Sequence, residues 1–367
     1  MVGLLELRRR KLQFGLIALV VTLIAYLVLM INGLGVGLNV LAGSALQNFN
    51  ADGIAYSDRA GLSVIRSEIS AETVAAIASR NGGNPTAPVG YVAANYRRSD
   101  GSVRSAAFLG YIPGTIGEPN LVRGRPLGDS DRLSLLADTT FLDAAGLSVG
   151  DRVSVTVRLT TTEFEIVGAI DEGSFFFQPA VYVLLDTWRE LKYGGLEEGL
   201  PEASIVLLKG KEEIGSAGPG YEVVDKGTAF DNIEGVQGQQ STVTALRVFG
   251  FIIGGLVIAV FFYVLTLQKT AQIGVLKAVG ASSSYVLWQL FVQVLLLTVV
   301  ATVIAVPLAW ATDRGLQQLP DSVPIAFTTR TYVLTVAGQF LVSLVGTVFA
   351  GRRVLQVDPL IALGQQQ

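Results

Sequence analysis

The chain has 367 residues, of which 50% are hydrophobic and 16% charged, with a mean hydropathy of +0.51 and a formal net charge of −3. A soluble domain carries roughly 25% charged residues, so this composition describes a membrane protein with a sizeable polar part. Cys and His are both absent, which excludes disulfide frameworks, Cys/His zinc sites and Ser-His or Cys-His catalytic pairs, and no basic face suited to nucleic acid emerges.

In chain order, Arg8, Arg9, Arg10 and Lys11 precede an apolar run, and no charge appears again before Asp52. Residues 12–32 predict a first membrane span, since about 20 apolar residues cross a ~30 Å hydrocarbon core. A basic start before an apolar run is also the signature of a signal peptide, but the run is long and no compact small-residue cleavage site follows it. The basic start predicts a cytoplasmic amino terminus and an external domain after the span. Beyond Met30 come Gly33, Gly35 and Gly37. Gly33 and Gly37 share a helical face, where small residues admit a second backbone or a flat ligand.

Residues 51–240 differ in kind, with mixed polarity and frequent Gly and Pro. Partial period-two alternation and β-branched residues predict strands over 91–96, 103–111, 153–159, 164–170 and 180–185. Residues 70–79 predict a helix capped by Ser70 with Glu72 in its first turn, and 187–192 a second short one. Phe175, Phe176 and Phe177, between Gly173 and Pro179, read either as an exposed apolar loop touching lipid or a second protomer, or as a core strand. The expected fold is four transmembrane helices plus an α+β extracytoplasmic domain between the first and second. The domains are then 1–50 (basic start and first helix), 51–240 (α+β), 241–351 (helices two to four) and 352–367 (cytoplasmic tail).

Residues 248–268, 278–312 and 331–351 are uncharged, and they predict span two from near 244 to 269, span three over 284–312 and span four over 331–351. Between spans two and three lies 268–284, QKTAQIGVLKAVGASSS, a tight hairpin whose Lys269 and Lys277 predict a cytoplasmic tip. A short helix over 273–279 is expected to stop at Gly280, with the following serines capping span three. Arg352 and Arg353 end span four on the same side. Arg247 is the exception, a lone cation at the opposite mouth of span two.

One span, a large external domain and then three spans is a layout that resembles the FtsX/MacB-type permeases of ABC transporters. IGVLKAVGAS (273–282) resembles that family's cytoplasmic segment between its second and third spans. LVRGRPL (121–127), GLSVGDRVSV with FEIVGAI (146–155, 164–170) and VYVLLDTWREL (181–191) resemble its external domain, and VDPLIAL (357–363) its tail. The amino-terminal third, RRRKLQFGLIALVVTLIAYLVLMINGLGVGL (8–38), is similar to the haem-export (HrtB-type) permeases, with the DevC-type permeases next. The resemblance implies a multi-pass protein of a bacterial plasma membrane, both termini cytoplasmic, working as a homodimer with a separate, HrtA-like ABC ATPase. No GxxxxGK[ST] motif occurs, so ATP and Mg²⁺ belong to that partner. The permease is then not an enzyme and holds no permanent cofactor. Its coupling residues are Gln272, Ile273, Gly274, Lys277, Gly280 and Ala281.

The implied cargo is haem, and the residue chemistry limits how haem can be held. Axial ligands are usually His, Cys, Met or Tyr, and only Met1 and Met30 are methionines. Met30 lies about 27 Å along span one at 1.5 Å per residue, near the outer leaflet, and is the candidate iron ligand. Tyr26 lies one turn below on the same face, which Gly33 and Gly37 continue. Arg247 is placed to pair with a propionate, Phe251 to stack on the porphyrin, and Glu234 to offer a carboxylate. Each has a plain alternative: Tyr26 and Phe251 as packing inside the bundle, Met30 as a core or lipid-facing filler, and Arg247 as a snorkelling side chain or the partner of an external-domain carboxylate. No charge is expected at mid-bilayer, which argues against a hydrophilic tunnel and for lateral entry from the membrane. Two rival readings are a MacB- or Lol-like exporter of lipid, peptide or lipoprotein, and an FtsX-like transmitter controlling a cell-wall hydrolase.

Overall fold

The computed structural model describes residues 11–268, 274–275, 279–316 and 323–355. Four helices are long and apolar enough to cross a membrane: α1 (Lys11–Asn48), α6 (Val236–Gln268), α7 (Ser283–Leu316) and α8 (Thr329–Leu355). They are spans one to four. The chain divides into two compact units, one of residues 1–37 and 240–367 and the other of residues 38–239.

In the membrane unit, helices meet where side chains are smallest. A Cβ on Gly250 would lie 3.3 Å from Val28, and one on Gly254 2.8 Å from Ile24, so α6 packs backbone-close on α1. A Cβ on Gly346 of α8 would lie 3.1 Å from the Gly255 carbonyl of α6. Small residues allow such approach where lipid supplies no hydrophobic drive for association. On α7 the half-exposed Trp288 and Trp310 are separated by a rise of about 33 Å, which suits an aromatic belt at each membrane interface. Ser282 caps α7, its hydroxyl accepting from the Tyr285 amide at 3.2 Å, as the sequence predicts.

The inserted unit holds twelve strands. Along the chain these are β1 (Gly53–Ser57), β2 (Thr86–Arg97), β3 (Val103–Tyr111), β4 (Leu121–Gly124), β5 (Ser134–Asp138), β6 (Arg152–Val157), β7 (Thr160–Ile170), β8 (Ser174–Phe175), β9 (Gln178–Leu184), β10 (Ile205–Leu208), β11 (Ala217–Gly218) and β12 (Tyr221–Asp225). They pair in the order β11-β12-β1-β10-β2-β3-β9-β5-β7-β4, with β6 on β2 and β7, and β8 on β9. Only β3/β9 and β5/β7 are parallel. Short helices α2 (Ala71–Arg80), α3 (Thr139–Ala145), α4 (Leu185–Tyr193) and α5 (Lys226–Asp231) complete it. Ser70 caps α2 by accepting from the Thr73 amide, as expected from sequence.

Trp188 of α4 fixes where that helix lies on the sheet. Gly90 and Gly110 are cross-strand partners on β2 and β3, and a Cβ on either would fall 2.0 and 2.4 Å from Trp188 atoms. The two glycines together leave a flat seat that the buried indole fills.

Helix α1 does not stop near residue 32. It runs to Asn48 with a non-helical residue at Gly43 (φ −171°, ψ 37°). The continuation stays ordered because Ala42, Ala45, Leu46 and Phe49 are buried in the core of the inserted unit. The break at Gly43 interrupts the helical hydrogen bonding, and a turn of that unit takes the nearby acceptors. The Phe176 and Phe177 amides donate to the Ala42 and Leu41 carbonyls, both at 2.9 Å. Phe176 and Phe177 carry φ of 50° and 61°, a region costing non-glycine residues about 1–3 kcal/mol unless held by their surroundings. Phe175 is the core strand residue of the triplet, whereas Phe177 stays 40% exposed. Further on, the Lys226 ammonium donates to the Gln47 and Phe49 carbonyls at 2.9 and 3.0 Å and so caps the helix end.

The turn is held from behind by Asp138, which is fully buried. Its carboxylate accepts from the amides of Glu172 and Gly173 at 2.8 and 2.6 Å, and from Thr140. Glu172 is also buried. Burial pushes its carboxyl above the usual glutamate range, the negative charges of Asp138 and Asp171 add to this, and two hydrogen bonds from Asn120 oppose it.

Two outcomes follow for the inserted unit. Gly90→Ala places a methyl inside the Trp188 ring and should lower its stability by about 1–3 kcal/mol, the usual cost of overpacking, measured by urea unfolding followed through tryptophan fluorescence. A carboxyl whose pKa is raised in the fold stabilises fully below its unfolded pKa and loses that contribution as pH rises through the folded value. Glu172→Gln should therefore raise the neutral-pH melting temperature and flatten its decline from acid to neutral pH. A melting profile identical to wild type at both pH values would refute the assignment.

Candidate functional site

Met30 and Tyr26 pack together with Val306, Phe327 and Tyr332 around Ala25, Leu29, Ala305 and Ala309. Span one thus turns this face toward spans three and four. The Tyr26 hydroxyl reaches Thr312 at 3.1 Å, and Phe327 and Tyr332 are stacked, with centroids 5.0 Å apart and 22° between planes. Gly33 and Gly37 continue the face. A Cβ on Gly33 would fall 2.6 Å from the Phe327 ring, and one on Gly37 2.1 Å from the Pro324 carbonyl.

Arg247 and Phe251 lie elsewhere in the membrane unit. Gly35 sits about 200° around the helix from Gly33, and its face meets Val243 and the Arg247 guanidinium of span two. Arg247 Nε is buried without a hydrogen-bond partner among the described residues. Phe251 lies against span four, its ring 2.7 Å from where a Gly338 Cβ would stand, and lines an apolar groove of about 570 Å³ with Gly255, Leu256, Leu341 and Val345.

Glu234 belongs to the inserted unit. It accepts a hydrogen bond from the Ser63 hydroxyl. Tyr91 is pushed up to about 12 by burial and then by the negative charge of Glu234, and Tyr56 is raised by the same two causes. In the coupling segment, Gly274 is helical and buried, Gly280 has φ +103° and Ala281 is half-buried; Lys269, Gln272, Ile273 and Lys277, and most of the expected 273–279 helix, lie outside the described residues. No group of three His, Cys, Asp or Glu side chains able to hold a metal occurs among the described residues.

A second set of residues was not singled out from sequence. Thr331, Thr335, Gln339, Ser343 and Thr347 recur every fourth position of span four, and all are buried, while Val333, Leu334, Leu341, Leu344 and Val348 are exposed. The Asn32 amide of span one donates to the Thr335 hydroxyl at 2.8 Å. Thr298 of span three and Ser343 are hydrogen-bonded at 3.0 Å. Gln339 lies between these nodes, 3% exposed, its Nε2 without a partner among the described residues. The period-four polar pattern was visible in the sequence, but a search for charge passes over it. This seam is neutral, so it does not carry the cost of a buried ion.

The fold and the site define the class: a four-helix membrane protein with an α+β unit inserted between its first and second spans. Residues 245–359 match the family model described as FtsX-like permease C-terminal. A Staphylococcus haemolyticus protein named as a hemin transport system permease, HrtB, is 25% identical over 359 residues, covering 98% of this chain and 97% of that protein. The macrolide export ATP-binding/permease protein MacB of Acinetobacter baylyi is 30% identical over 129 residues, covering 34% of this chain and 19% of that protein. The extracellular domain of the ABC-type transporter YknZ from Gram-positive bacteria aligns with a TM-score of 0.34 at 14% identity, covering 48% of this chain and all of that one. Residues 245–359 thus carry an FtsX-like permease domain, and the chain is similar to ABC transporter permeases of the FtsX/MacB type.

A buried amide lacking a partner costs about 1–3 kcal/mol. Gln339→Leu should accordingly raise the melting temperature of the full-length protein in detergent, whereas Asn32→Ala, which deprives Thr335 of its donor, should lower it. A drop with Gln339→Leu would show that the amide is satisfied.

Proposed function

We propose that this chain is the permease subunit of an ATP-driven exporter that moves haem from the membrane to the exterior, paired with a second copy of itself and with a separate ABC ATPase. The similarity to a hemin transport permease along nearly the whole of both chains carries this reading. The surroundings of Met30 support it. Its thioether, an established kind of haem ligand, sits in a cluster with Tyr26 and Tyr332. Flat aromatic faces and a soft sulfur suit a porphyrin better than they suit a peptide. Arg247 meets the Gly35 face of span one, about 200° around the helix from Gly33, and so is not part of this cluster.

In this reading both termini and 268–284 face the cytoplasm of a bacterial cell, where the ATPase pair binds ATP and Mg²⁺. Its closure pushes on 272–281, and the spans pass the motion on as rigid bodies. Cargo enters sideways from the outer leaflet and leaves outward as the dimer closes. The 129-residue match with MacB favours a second reading, export of a lipid, peptide or macrolide-like cargo.

Haemin titrated into the purified full-length protein should give a saturable Soret shift that Met30→Ala reduces at least tenfold in affinity, about 1.4 kcal/mol. No saturable shift with wild-type protein would sink the haem reading and leave the second.

A further inference from the structure

Residues 323–328, which lead into span four, form no regular element. They lie across the Met30 side of span one. Phe327 presses on Gly33, Pro324 on Gly37 and Ile325 also on Gly33, in each case closer than any Cβ would allow. Their attachment is light. The Ala326 amide donates to the Gly33 carbonyl at 3.1 Å, and Thr328 caps span four by accepting from the Thr331 amide at 3.1 Å. Val323 is exposed, and residues 324–327 are half-buried.

The side-chain bonds that join the spans, among them Asn32–Thr335, Thr298–Ser343 and Tyr26–Thr312, are not made by residues 323–328. Span four is thus fixed by its polar seam, and the segment leading into it is not. Short apolar segments with few hydrogen bonds open at low cost relative to packed helices. The Phe327 ring, backed by Tyr332, stands in the cluster that also holds Met30, so an aromatic plane already fills the place where a planar ligand would approach the glycine face.

We infer that residues 323–328 are a lid over the Met30 site, with Phe327 as its plug, and that a planar aromatic amphiphile gains the thioether only when this segment lifts. The inference rests on the haem reading proposed above and adds its regulation. With the lid shut, only the open fraction of molecules is competent, and the apparent affinity falls by that fraction.

Haemin association with full-length protein, followed by stopped-flow at the Soret band, tests this in wild type, Phe327→Ala and Pro324→Gly. The lid predicts faster binding and roughly tenfold tighter affinity in both variants. Pro324→Gly keeps the ring and guards against a folding defect in Phe327→Ala. Because the chain contains no cysteine, Ala326→Cys provides a single thiol, and its maleimide labelling rate, read by mass, should rise when gallium protoporphyrin is added. Unchanged or weaker haemin binding in the variants, or an unchanged labelling rate, overturns the lid while leaving wild-type haem binding intact. Wild-type protein that binds no haemin removes the site and the lid together.

Discussion

Four apolar helices in a bilayer have no hydrophobic reason to associate, because lipid chains are as apolar as their own side chains. Shape and neutral hydrogen bonds must hold this membrane unit together. Glycines on span one let a loop approach from one side and span two from the other, with separations that any side chain would prevent. The polar seam of span four then sets which helices it touches, through Asn32 on span one and Thr298 on span three. Neutral groups serve this role because each satisfies another without leaving a charge in hydrocarbon.

The inserted unit rests on a different principle. Its sheet buries a large apolar core on both sides of its central strands, and its hydrogen bonds are mostly ladder bonds. One group of side-chain and cap bonds lies where the end of α1 enters the unit. Asp138 holds the 172–173 backbone, the Phe triplet donates to α1 carbonyls at the Gly43 break, and Lys226 closes the helix end. A strained turn, a buried carboxylate pair and an interrupted helix therefore occupy one place. Each compensates another, since the acceptors freed by Gly43 are those the strained phenylalanine amides need.

The same separation of rigid and lightly held parts bears on transport. The helices are pinned by seam and glycine contacts, which favours their motion as rigid bodies. Residues 323–328 carry few hydrogen bonds to the spans.

Much of this was legible in the sequence. Uncharged runs gave the four spans, because length and charge alone decide whether a helix suits a bilayer. Alternation located five of the twelve strands, the long β2, β3, β6, β7 and β9, and Ser70 and Ser282 announced their caps through local chemistry. The shared face of Tyr26, Met30, Gly33 and Gly37 followed from helical geometry. Tertiary structure alone decided what that face meets, since no periodicity says which neighbour fills a groove. It put the 323–328 segment and span four there, set Arg247 against Gly35 and Phe251 against Gly338, and carried α1 past residue 32 to Asn48. Helix length beyond the membrane depends on burial by residues far along the chain, and contacts between distant segments depend on packing, which no local pattern encodes.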